Sequence, residues 1–424
     1  MKLLSITLLL ATALPAQHEH HHHEQQEADP SAPNQASSYL LSFSSGTSLN
    51  PSSWNMPMAM TKAGNWNLMW MGQAFVVGTQ QSGPRGGDKI YSANWGMLAA
   101  TRNLGKGSLM IRGMLSLDPL TIRGQQYPLL FQTGETANGK AIVDGQHPHD
   151  AIMELSIHYA RPLAKNTILN IYYAPTGDPA LGPVAFPHRA SAMELPQATL
   201  GHHWQDSTHI ANNVVTMGLK YRQFRIEASG FRGKEPNENR WNIDMGKMDS
   251  YSGRLTWQPT ANWLAQVSAA HITRPETSHP DDVLRTTASL HYTQRQGWST
   301  SIIWARNKKS IGQYATNSFL AETVRPITRR NLLTARFEWS QRDELFEYDH
   351  HLAHELYEQT GKRAFNVSGL TVGYTRELAR TGALRTAAGC NVTTYAIANT
   401  LKPYYGSRPA AVSVFLRFRL QAGE

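Results

Sequence analysis

From Asn65 to the C-terminus the chain repeats one pattern: a segment of about ten residues with two chemically distinct faces, then a break. Residues 250–258 show it plainly. Tyr251, Gly253, Leu255 and Trp257 fall on one face, and Ser252, Arg254, Thr256 and Gln258 on the other. Near the C-terminus Val412, Val414, Leu416, Phe418 and Leu420 alternate with Ser413, Phe415, Arg417 and Arg419. A period of two is the mark of a strand with one face in an apolar medium and the other in a polar one.

The breaks are sorted by length. Those near Gly105, Pro162, Arg222, Pro259, Gln296, Pro326 and Thr381 read as tight turns. Those near 80–89, 119–150, 176–211, 233–248, 273–282, 307–315, 341–365 and 397–409 are longer, and the two kinds alternate throughout. A soluble sandwich has no reason to sort its loops this way. A barrel with short periplasmic turns, long extracellular loops and both termini in the periplasm does. The expected fold is therefore all-β: a transmembrane antiparallel β-barrel of about sixteen strands over residues 65–424, set in outer-membrane lipid. The strands are expected near 66–79, 90–102, 107–118, 151–161, 165–175, 212–221, 223–232, 249–258, 262–272, 283–294, 297–306, 316–324, 329–340, 366–376, 383–396 and 410–420. Trp66, Trp70, Trp95, Trp257, Trp263, Trp298 and Trp304 are expected on the lipid side, mostly near strand ends, where an amphipathic ring suits the headgroup level.

Residues 1–16 read as a secretory signal, with Lys2 ahead of the apolar run Leu3–Ala11 and small residues at Ala13 and Ala16. No later stretch approaches the ~18 apolar residues of a transmembrane helix. A single cysteine, Cys390, excludes an internal disulfide framework. The net charge of +9 comes from residues scattered singly along strands, with no basic block or recognition helix, which argues against nucleic acid as a partner. Placed on the polar faces, Arg112, Lys220, Arg225, Arg254, Arg285, Arg417 and Arg419 outnumber Glu154 and Glu227 and would give a basic lumen that favours anions.

Three features point to metal chemistry. The first is the tail after the signal, residues 17–36, expected to be disordered, in which His18, His20, His21, His22 and His23 cluster. Grouped imidazoles bind Cu(II), Ni(II) or Zn(II) with little specificity. The second is methionine: Met56, Met58, Met60, Met69, Met71, Met110 and Met114 crowd one short stretch, the first three within a periplasmic lead-in or partial plug at 37–64. Thioether sulfur suits soft ions such as Cu(I), although methionine also fills gaps in cores. Alternation puts Met69 and Met71 opposite Trp70, hence in the lumen.

The third is a pair of long loops. One holds His147, His149 and Asp150; the other holds His188, Glu194, His202, His203, Asp206 and His209. Loops of ~30 residues are uncommon unless they fold for a purpose, and these could turn inward and narrow the pore. Imidazole with carboxylate suits Zn or Cu. The same residues could instead cross-brace the loop backbone, or join Ser191 or Ser207 in a Ser–His–Asp arrangement, for which no G-x-S-x-G elbow is present. A further cluster in 341–365, Glu344, Glu347, Asp349, His350, His351, His354 and Glu355, is expected to face outside, where it could capture cations, although a solvated acidic loop is the plainer reading. Ser82–Asp88 is Gly-rich but lacks the Lys-Ser/Thr of a phosphate loop.

The segments Ser45–Ser48, Gln80–Asp88, Phe131–Thr136, Gln146–Asp150 and Gly201–His209 resemble a largely uncharacterised family of bacterial outer-membrane barrel proteins, over most of the chain from Ser45 to Pro275. Members carry His- and Met-rich N-terminal stretches and are linked with copper or other heavy-metal resistance. The resemblance implies copper or another transition metal as the bound ion and periplasmic metal-handling proteins as partners. It implies no catalytic residues. Three functions follow as expectations: a pore or metal-binding protein that handles copper-like ions, a general porin passing small anions and other small solutes, and a barrel hydrolase.

Overall fold

A closed ladder of hydrogen bonds accounts for most of the backbone. The computed structural model describes residues 34–422. Its strands are β1 (Ala59–Ala63), β2 (Trp66–Gln81), β3 (Asp88–Leu104), β4 (Gly107–Leu115), β5 (Tyr127–Ala137), β6 (Lys140–Gln146), β7 (Ile152–Ala164), β8 (Thr167–Gly177), β9 (Ala211–Tyr221), β10 (Phe224–Arg232), β11 (Ser250–Trp257), β12 (Trp263–Ile272), β13 (Val283–Thr293), β14 (Ser299–Lys309), β15 (Ala315–Pro326), β16 (Asn331–Arg342), β17 (Phe365–Thr381), β18 (Leu384–Ile397) and β19 (Ala410–Leu420). Leaving out β1 and the separate β5–β6 hairpin, sixteen strands pair antiparallel in sequence order, and β19 returns to β2 to close the barrel. Each of the sixteen expected segments lies on one of them. Closure leaves no open edge along the wall, as lipid demands. Where β19 ends, β1 continues the ladder along Trp66–Trp70 of β2, and the Ala422 N–H donates to the Met58 carbonyl at the seam.

The helices are short: α1 (Gln35–Leu41), α2 (Asp118–Thr121), α3 (His202–Gln205), α4 (His350–Thr360) and α5 (Lys402–Tyr405). Among the described residues no helix is long and apolar enough to cross a membrane. The wall crosses with strands instead. Tyr251, Leu255, Trp257, Val412, Val414 and Leu416 are exposed on its outside, while Ser252, Arg254, Ser413 and Arg417 are buried within. Trp70, Trp257 and Trp263 face outward beside the tight turns and mark the periplasmic boundary of the apolar belt.

Two local readings needed correction. Trp95 does not face lipid. It is 7 % exposed and points into the lumen, edge-on to the His188 ring. β4 ends at Leu115, which pairs with Gly96, so the rest of β3 has a bare edge. α2 covers that edge: the Asp118 carboxylate accepts from the Asn94 N–H, and the Thr121 hydroxyl donates to the Ser92 carbonyl. Polar Ser92 and Asn94 thus lie outside the lumen, and Trp95, of opposite parity, turns inward. The turn expected near Pro162 comes later, because β7 runs to Ala164, absorbing the proline at a register shift between Pro162 and Ala164.

The lumen is filled. Residues 176–210 are buried almost without interruption, and so are residues 43–48. A buried loop must find partners for its backbone. This one does so around the whole wall. Ala180 and Gly182 N–H groups donate to Ser229 of β10 and Ser268 of β12. The Leu200 N–H donates to Glu338 of β16, and the Met193 carbonyl accepts from Gln73 of β2 and Arg419 of β19. Arg189 reaches Glu322 of β15 at 2.6 Å, and Glu194 is clamped by Arg417 and Arg419. The inward arginines therefore bind carboxylates and loop carbonyls.

A candidate metal site in the lumen

Two loops and a hairpin carry the histidines to one place. α3 and the turn after it present His202, His203, Asp206 and His209, and His147 follows β6. Gly134 of β5 lets the hairpin come close. Its φ is +110°, and a Cβ there would sit 2.5 Å from the His203 ring. Glu135 beside it has φ 59°, a conformation that side-chain-bearing residues adopt at a cost and that clusters at functional sites.

One ligand atom from each of His147, His202 and His203 lies within 4.8 Å of the other two. All three rings are buried. His202 Nδ1 is 2.7 Å from Asp206 Oδ1, and His147 Nε2 is 2.9 Å from Glu135 Oε1. Both nitrogens of His203 lack a hydrogen-bond partner, the nearest carboxylate being Glu235 at 3.5 Å. Arg240 in turn holds Glu135 and, at 3.2 Å, Asp150.

Burial pushes the His202 imidazole down to about 4 and lowers His147 as well, so both are neutral at pH 7. At His203 burial acts the same way, but Glu235 and Glu276 outweigh it and raise the ring to about 9. Asp206 is held below the usual carboxylate range, because His202 and Arg189 overcome its burial.

The other histidines are placed differently. His209 packs against His202 with ring centres 5.4 Å apart and holds the Asp206 carbonyl through Nδ1. His149 is 5.5 Å from His209, ring to ring, and its Nδ1 lies 2.9 Å from Asp118. His188 stands apart against Trp95, with neither nitrogen hydrogen-bonded. His18, His20, His21, His22 and His23 lie outside the described residues.

The methionines form a separate group. Met69, Met71, Met110 and Met114 face the lumen as alternation required, and with Met97, Met153 and Met193 they pack against Tyr39 and Leu40 of α1 and against Phe43. Met56, Met58 and Met60 line a cavity at the periplasmic end beside Trp54.

Neither serine meets an imidazole: Ser191 bonds Ser301 and Glu322, and Ser207 accepts from Arg285. Glu135, Glu235 and Glu276, which surround the histidines, had not been picked out as site residues in the sequence. Glu135 had a signal in its Gly-flanked segment Phe131–Thr136, whereas Glu235 and Glu276 sit in loops with no pattern.

No protein-family profile and no curated protein matches this sequence. Among solved structures, the anion-selective porin from Comamonas acidovorans is similar, with a TM-score of 0.52 and 13% identity over 84% of this chain and 100% of that one. Salmonella typhi OmpF, solved with daunomycin, is similar with a TM-score of 0.53 and 9% identity over 85% of this chain and 100% of that one. At such identities the likeness concerns the fold. A closed sixteen-stranded barrel with an apolar belt is an outer-membrane architecture, and the chain belongs in a bacterial outer membrane.

Proposed function

We propose that this barrel handles copper or another transition metal, holding an ion in the lumen through His147, His202 and His203. One observation carries the reading: three buried imidazoles converge on a point, and one of them has no hydrogen-bond partner at either nitrogen. Buried polar groups are normally satisfied, so an imidazole without a hydrogen bond beside two others fits a missing ligand, one whose binding releases the proton that Glu235 and Glu276 favour on His203. Imidazole nitrogen suits Cu(II) and Zn(II). Asp206 on Nδ1 of His202 leaves Nε2 for the ion, the carboxylate–histidine arrangement that orients metal ligands. Glu135 would supply a fourth donor.

The test is copper and zinc content of the refolded mature chain after equilibrium dialysis, compared with His202→Ala/His203→Ala. The double variant should hold one equivalent less. Equal content would overturn the reading, and the His-rich tail, common to both proteins, cancels in the difference.

A second reading is a general porin favouring anions. Arg295, Arg329, Arg380, Arg385 and Arg419 ring the vestibule at the periplasmic end, opposed by Glu194 and Glu377. Anion-selective currents through planar bilayers, indifferent to added copper, would bring it forward.

A further inference from the structure

Toward the extracellular mouth a second group of ligands gathers. Glu276 and His279 come from the β12–β13 loop and Glu344 from the β16–β17 loop. One ligand atom from each again lies within 4.8 Å of the others. Their neighbours are charged but unevenly matched. Lys309 Nζ is 2.8 Å from both Glu344 Oε1 and Asp343 Oδ2, and His279 Nε2 is 2.7 Å from Glu347 and 3.4 Å from Glu344. Three carboxylates, Asp343, Glu344 and Glu347, thus share one ammonium and one imidazole, and Oε2 of Glu276 is buried with no hydrogen-bond partner.

The second observation is what this group borders. A cavity of about 20 Å³ has Glu276, His279 and Glu344 on its wall, and His203 lines it too. His203 is 3 % exposed and neither ring nitrogen makes a hydrogen bond, Nδ1 having only Glu235 at 3.5 Å and Nε2 no partner. That volume admits a single water or a bare cation. Trp204, Arg285 and Asn307 seal the sides.

We infer that Glu276, His279 and Glu344 form an outer site for a divalent cation of the zinc or copper(II) class, opening through this cavity onto His203. The donor set is two carboxylates and one imidazole, which fits borderline ions and leaves a position for water. An incoming ion must displace Lys309 from Glu344, so the site binds weakly enough to release. That suits a stage between the exterior and the histidines below. The outer site stands on its own residues, but its role as an antechamber rests on the inner site proposed above.

Zinc alone serves as the probe, in equilibrium dialysis of the refolded mature chain at neutral pH. The proteins compared are wild type, Glu276→Gln/His279→Ala and His202→Ala/His203→Ala. Each double variant should hold one equivalent less than wild type. Glu276→Gln alone, nearly isosteric and therefore safe for folding, should weaken the outer equivalent about tenfold. Full zinc content and affinity in both Glu276 variants, with loss in the His202/His203 variant, would overturn the outer site and leave the inner one standing. Loss in the Glu276/His279 variant alone would sustain the outer site, remove its role as an antechamber and refute the inner site. No loss in either would overturn both.

Discussion

Arg112 and Glu154 show how single residues tie the interior to the wall. Arg112 Nη2 is 2.8 Å from Glu154 Oε1, and both side chains are buried. The pair also fixes the chain passing through the lumen: Arg112 donates to the Gly46 carbonyl, and Glu154 accepts from the Gly46 N–H at 3.1 Å and from the Tyr172 hydroxyl at 3.0 Å. Removing one member of a buried pair strands the other charge. Arg112→Ala should therefore cost about 3–5 kcal/mol in urea unfolding of the refolded barrel, and Glu154→Gln in the same background should recover part of it. Asp178 is the neighbouring latch, accepting from Ser48 at 3.0 Å and Ser45 at 3.3 Å. Burial raises its carboxyl to about 7 from an ordinary 3.8, against the pull of Arg254 and with Glu154 adding to the rise. From about pH 4 to 7 the folded state then keeps a proton that the unfolded state has lost, so stability falls as pH rises through that window and levels off above it. Amides of residues 43–50 should be better protected from exchange at pH 5.5 than at pH 8, once intrinsic rates are removed. Asp178→Asn should flatten the difference; a pH dependence that survives it would point to another group. Alternation put Arg112 and Glu154 on inward faces, but not together. That depends on the β4–β7 register, which sets Arg112 beside Ser156 and Met114 beside Glu154.

Elements differ in how far their own sequence determines them. A barrel strand carries its instruction locally, because its two faces meet two solvents, and so each was readable alone. Trp95 misled because its strand loses its neighbour part-way and α2 takes over, an arrangement set by contacts 24 and 29 positions apart in sequence. The β5–β6 hairpin was the harder element. It was read as loop, since its register is broken between Pro128 and Thr133 and again between Thr133 and Thr136. Those irregularities bring Gly134 against His203 and aim Glu135 at His147. Sequence marked the histidines as a set, but could not say that His147, His202 and His203 converge while His188 turns to Trp95. Gly134→Ala tests the hairpin's part. It forces a side chain into the His203 ring at a strained backbone position, a cost on the order of 1–3 kcal/mol. Zinc affinity should drop while far-ultraviolet circular dichroism and heat-modified gel mobility stay those of a folded barrel. Unchanged affinity would mean that the hairpin does not shape the site.

At the scale of the whole molecule, a wall and its contents have different sources of stability. A sixteen-stranded barrel is wide enough to hold an aqueous channel, and its outer face needs only lipid. Here the inner face is spent on a loop that crosses from β8 to β9 by way of most of the other strands. Its anchors are polar: Ser191 to Ser301 at 2.6 Å, Trp204 Nε1 to Thr316 at 2.8 Å, and Arg285 to the His203 carbonyl at 2.6 Å. None of these contributes to closing the wall, which is held by the strand ladders alone. The loop and the barrel are thus separable in energy although packed together. Replacing residues 181–206 with a short Gly-Ser linker should leave a folded barrel, because the β8–β9 ladder from Thr167–Tyr221 to Gly177–Ala211 remains. Its bound metal should fall with the lost histidines, and its single-channel conductance should rise several-fold over wild type. If wild type already conducts as freely as the shortened protein, solutes pass around the loop. The interior would then be a lined channel carrying a metal site on its wall, and the porin reading would take precedence over metal handling.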